Sequence, residues 1–99
     1  MIIPKEFYIA GGKRIDVETV DEIDDYSTYG NFSAVNNKIK IAKYVKCDGE
    51  TVAVPEEDVE RTFYHELIHC MNYFYNCETE EPIAQVFSNF IYEYIHTRK

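Results

Sequence analysis

Apolar and polar residues alternate along the first half of this chain, then switch to three-to-four spacing in the second half. Alternation marks half-buried strands, and the longer period marks helices. Phe7–Ala10 reads as a short strand, and Gly11-Gly12 as a tight hairpin turn. Lys13–Val20 alternates as a half-exposed strand. Asp21–Thr28 is acidic and turn-like. Tyr29–Val35 reads as a further strand. Asn36-Asn37 turns the chain, Lys38–Tyr44 alternates again, and Cys47–Glu50 is a loop. Thr51–Val54 then leads into a helix at Pro55 or Glu56. Proline in the first turn and the acids Glu56, Glu57 and Asp58 suit the positive end of the helix dipole. Val59, Phe63, Leu67, Cys70 and Phe74 form its apolar line, and Asn76 is a stop. Thr79 is a candidate N-cap for a second helix, with Glu80, Glu81 and Pro82 in its first turn. Ile83, Val86, Phe87, Phe90, Ile91, Tyr94 and Ile95 are its apolar positions. Strands first and helices after make an α+β order. The pattern predicts a three- to four-stranded antiparallel sheet followed by a two-helix hairpin, with residues 1–99 as one domain.

The first helix carries His65-Glu66-Leu67-Ile68-His69, which reads H-E-x-x-H. Residues four apart on a helix lie one turn above each other on one face, so two imidazoles there can grip one Zn²⁺. Glu66 projects beside that face without being a ligand. From there it reaches a metal-bound water, whose pKa the cation lowers, and takes its proton. Both histidines fall off the helix's apolar line, toward the edge of its buried face. A catalytic zinc site has three protein ligands, so a third must lie downstream. His96, Glu78, Glu80 and Glu81 all offer donor atoms. A closed structural site, with Cys77 or Glu80 as fourth ligand, is a further arrangement.

Composition narrows the partners. The net charge is −8, and no basic stripe offsets the acids, which argues against nucleic acid. Lys38, Lys40, Lys43 and Lys46 read as a solvated strand face. Met1-Ile2-Ile3 is too short an apolar start for a signal peptide, and no membrane span is expected. Cys47, Cys70 and Cys77 are odd in number and form no C-x-x-C pair, which fits free thiols and a cytoplasmic setting.

Glu81-Pro82-Ile83-Ala84-Gln85-Val86-Phe87 follows the motif as E-x-x-A-x-x-F. HELIH followed by a helix with that pattern resembles the small gluzincin metallopeptidases of phages and mobile elements, related to the ImmA/IrrE group. Tyr29-Gly30-Asn31-Phe32 through Ile41 is similar to the hairpin that precedes the motif helix in small phage versions. The resemblance covers Tyr29 to the end. It implies a minimal zincin-like fold, one Zn²⁺ on His65, His69 and Glu81, and Glu66 as general base. It also implies a zinc-dependent endopeptidase acting on a protein or peptide substrate, held as an added strand along an edge of the hairpin. The spacing from His69 to Glu81 is short for this family, and no residue stands out as an oxyanion donor. Tyr29, Tyr73 and Tyr92 are the candidates. The alternative is a non-catalytic zincin-fold module that docks a protein partner.

Overall fold

The computed structural model describes residues 3–97. The chain runs β1 (Glu6–Ile9), β2 (Lys13–Val20), β3 (Gly30–Ser33), β4 (Lys38–Ala42), β5 (Tyr44–Cys47), β6 (Glu50–Ala53), α1 (Glu56–Phe74) and α2 (Glu81–Thr97). Strands β1 to β4 form one sheet in the order β1-β2-β4-β3, and two helices follow, the minimal zincin-like order.

One pairing departs from the all-antiparallel expectation. β1 and β2 pair antiparallel, as do β3 and β4, but β2 and β4 run parallel. The connection from β2 carries the chain past one strand position before β3 begins. β3 then descends as the outer edge, and β4 returns in the slot between β2 and β3, so it points the same way as β2. Asp24, Asp25 and Tyr26 all have positive φ in that connection, which makes it a compact turn rather than an extended link.

The second half of the expected Lys38–Tyr44 strand also differs. The ladder stops at Ala42, and Tyr44 opens a separate two-stranded hairpin, β5–β6. Its turn is Asp48-Gly49, with φ of 51° and 81°. Positive φ at both central residues fits the right-handed strand twist, and Asp-Gly is a preferred pair for it. The segment read as a loop is therefore a tight hairpin.

The core lies between one face of the four-stranded sheet and α1. Ile15 and Val17 on β2 and Ile39 and Ile41 on β4 alternate inward, against Phe63, Tyr64 and Cys70 of α1. Phe7 meets Phe63 edge-to-face at 6.3 Å between centroids. Burial pushes the Cys70 thiol up to about 11, so this cysteine is an inert packing residue. Among the described residues all three cysteines are unbridged. No helix among the described residues is long and apolar enough to cross a membrane.

α1 ends as its sequence requires. Asn76 takes φ 51°, and the Cys77 amide donates to the Asn72 carbonyl at 3.1 Å, which closes the helix end by the left-handed route. Thr79 does not cap α2. Its hydroxyl bonds Asn72 Oδ1 at 3.0 Å instead, and the first α2 bond runs from Ala84 N to Glu80 O. The seven apolar positions of α2 split into two groups. Ile91 and Ile95 pack on the core with Tyr92, while Ile83, Val86, Phe87, Phe90 and Tyr94 stay exposed.

Candidate metal centre

α1 presents three side chains of the motif on its surface toward β3 and α2. His65 and His69 sit one turn apart with ring centroids 4.8 Å from each other. Ligand atoms of His65, Glu66 and His69 all lie within 4.8 Å of one another, so the motif forms a cluster able to hold a metal ion.

A fourth side chain enters from α2. Glu81 Oε2 lies 2.9 Å from His65 Nε2, and Glu81 Oε1 lies 2.8 Å from His69 Nε2. One carboxylate thus meets both imidazoles at the same nitrogen type. Among the described residues no other acid forms an ion pair with either histidine; Glu78 and Glu80 are exposed. The end of α1 accommodates the short spacing from His69 to Glu81. The helix stops at Phe74, and Asn72 holds the return segment through Cys77 and Thr79. Glu81 therefore comes back within one short turn.

His96, another candidate from sequence, is placed elsewhere. Its Nε2 is 2.7 Å from Glu60 Oε2, and its ring stacks on Tyr92. Tyr64 also donates to Glu60. Burial pushes the Glu60 carboxyl up, but the hydrogen bonds from Tyr64 and His96 help to reverse this, and the net shift is downward. Glu60 is an ionised buried acid with a packing role in α1.

Glu66 is only 6% exposed. Burial first, and the charge of Glu81 second, push its carboxyl up to about 7. It lines a cleft of about 440 Å³ together with Tyr29, Gly30, Asp58, Arg61, Thr62, His65 and Gln85. Of the three tyrosines considered as oxyanion donors, Tyr29 lines this cleft. Tyr73 packs on Phe32 and Phe74, and Tyr92 stacks with His96 under the Arg61 guanidinium.

Gly30 has a role that the strand pattern hid. A Cβ there would lie 2.6 Å from Thr62 Cγ2 and 3.3 Å from Glu66 Cγ. Only glycine lets β3 approach α1 this closely, and that approach forms one wall of the cleft. The available signal was a glycine at the start of a strand, which marks close backbone approach.

The donor set suits a divalent metal ion: two imidazole nitrogens and one carboxylate converge from two helices. His65 Nδ1 is buried with no hydrogen-bond partner among the described residues. No family model, curated protein or solved structure matches this chain.

Proposed function

We propose that this chain is a zinc-dependent endopeptidase of the gluzincin type. The observation that carries the reading is the Glu81 carboxylate held within 2.9 Å of Nε2 of both motif histidines, with Glu66 buried beside them. His65, His69 and Glu81 would hold one Zn²⁺. Bound there, the cation supplies Lewis-acid polarisation of the scissile carbonyl and a water acidic enough to lose its proton near neutral pH.

The chain's own residues do the rest. Glu66 takes the proton of the attacking water at its carboxylate and delivers it to the leaving amine. Its burial and the nearby Glu81 charge favour the neutral acid that this delivery needs. β3 is one of the two edge strands of the sheet and is the one that packs against α1 beside the cleft. An extended substrate would add to it as a fifth strand, its scissile bond laid along the cleft by main-chain hydrogen bonds. Tyr29, just before β3, is the one of the three candidate tyrosines that lines the cleft, and it would donate to a developing oxyanion. The gluzincin resemblance supports a protein substrate in phage or mobile-element biology, the unpaired cysteines support a cytoplasmic location, and the length of 99 residues supports one domain.

A second reading is a zincin-fold docking module without turnover. Arg61, the cation that lines the cleft, favours it. Arg61 is committed to Asp58 at 3.3 Å and Glu57 at 3.9 Å, and lies over the Tyr92 ring, which leaves few donors for an oxyanion. Turnover of an internally quenched peptide library separates the two. The peptidase reading expects cleavage with Zn²⁺, its loss on chelation, and a fall of ~10²–10⁴ in Glu66→Gln with zinc retained. Cleavage by Glu66→Gln at the wild-type rate would refute the mechanism.

A further inference from the structure

α2 is apolar on two sides. Ala84, Ser88, Ile91 and Ile95 lie on the side buried toward α1 and the core. On the other side Ile83, Val86, Phe87, Phe90 and Tyr94 are exposed by 53, 69, 51, 64 and 59%. At ~100° per residue these five fall within about 100° of arc, so they form one stripe along the axis. No charged residue occurs from Pro82 to Tyr92.

The stripe is large for a free surface. Side chains of this size present ~150–250 Å² each when fully exposed, so the five leave roughly 600 Å² in water. That is at the upper end of the largest patch on a typical monomer, ~300–600 Å². Two such stripes face to face would bury ~1,200 Å², the lower bound of specific, stable interfaces.

The charges at the ends of α2 say what fits. Glu78 and Glu80, both exposed, lead into the helix. Two copies packed antiparallel set the acidic lead-in and positive dipole end of one helix beside the negative dipole end of the other, so their dipoles oppose. A parallel pair would set like ends together. The net charge of −8 lies off the stripe and is screened beyond ~8 Å at physiological salt. A lipid surface fits less well, because interfacial helices flank their apolar face with Lys and Arg, and none lies beside this stripe.

We propose that this chain forms a twofold dimer through the α2 stripe. Phe87 packs on Phe90 of the second copy, and Ile83 on its Tyr94. This interface is independent of the peptidase reading, since it lies on the side of α2 away from α1.

Sedimentation equilibrium of the full chain, from micromolar to several hundred micromolar, tests it. The expected result is a mass of two chains. Phe90→Glu and, separately, Phe87→Ser with Phe90→Ser should each give a monomer with unchanged far-ultraviolet circular dichroism. Val35→Glu, at a hydrophobic residue 95% exposed elsewhere, should leave the dimer intact. In a background with Cys47→Ser and Cys77→Ser, a mixture of Ile83→Cys and Tyr94→Cys proteins should cross-link more than either alone. A wild-type monomer at every concentration overturns the proposal, as does a dimer indifferent to the folded α2 variants. Preferential self-cross-linking of Ile83→Cys overturns the antiparallel arrangement. A monomer that binds phosphatidylcholine vesicles, and loses this in Phe90→Glu, overturns it in favour of a lipid surface.

Discussion

Gly30→Ala tests how closely β3 presses on the motif helix. The added Cβ would sit 2.6 Å from Thr62 Cγ2, 3.2 Å from the Lys40 carbonyl oxygen and 3.3 Å from Glu66 Cγ. Carbon atoms pack at ~3.5–4.0 Å, so the first contact is short by about 1 Å. Gly30 has no positive φ, so backbone strain plays no part and the cost is steric. Thr62 must change rotamer or β3 must back away from α1. Overpacking of this kind typically costs ~1–3 kcal/mol. With three tight contacts the expectation is about 2 kcal/mol, or roughly 10 °C in melting temperature for a domain of this size. Urea unfolding of Gly30→Ala, Thr62→Ala and the double variant separates the cause. Removing Cγ2 should recover about half of the loss, a coupling of ~1 kcal/mol between contacting residues. Peptide cleavage should follow the same order, because β3 forms a wall of the Glu66 cleft. A Gly30→Ala protein as stable as wild type, or one whose loss is unchanged in the Thr62→Ala background, would refute this account of the packing.

Two further outcomes follow from the site. In metal-free protein, burial and Glu81 hold the Glu66 carboxyl up at about 7, against 4.5 ordinarily. Between these values the native state binds the proton more tightly than the unfolded chain, so stability falls as pH rises through this window, by about 3 kcal/mol in all. Glu66→Gln should lack this slope, which unfolding of chelated proteins at pH 5 and pH 8 would read; equal slopes would mean that Glu66 is not buried as described. Asn72 accepts from Cys77 Sγ at 3.4 Å and Thr79 Oγ1 at 3.0 Å. Asn72→Ala should free the return segment and weaken zinc affinity by roughly tenfold, since each lost hydrogen bond is worth ~0.5–1.5 kcal/mol; unchanged affinity in a calorimetric titration would show that this anchor does not position Glu81.

The chemistry-bearing helix was the most legible part of the sequence. Its acidic start, its apolar line and the left-handed stop at Asn76 are local properties, and each appears in α1. His65 and His69 share a face because helix geometry alone puts them there. Where Glu81 goes is a different kind of fact. It depends on α1 closing at Asn76 and on Asn72 holding the turn, and only the motif resemblance singled Glu81 out from its neighbours. The strand order was hidden because it depends on the path of the acidic connection before β3, which has no apolar rhythm to read. Asp48-Gly49 carried a hairpin signal, but the flanking strands are mostly exposed, so no alternation announced them. α2 was legible as a helix but not in its packing. Its seven apolar positions follow helical spacing, but that spacing does not say which of them the core covers, and five line a second face that it leaves exposed. The role of Gly30 lies in the space between two elements, which no single-strand pattern encodes.

Zinc stoichiometry and affinity test the central claim most directly. Purified wild-type protein, dialysed against a mild chelator and then titrated calorimetrically with Zn²⁺, should bind one equivalent tightly, with a matching rise in melting temperature. His65→Ala, His69→Ala and Glu81→Ala should each lose tight binding and the thermal response, because each removes one of three converging donors. A wild-type chain that takes up no zinc, or variants that still hold one equivalent as tightly, would contradict the assignment of these residues as a metal centre.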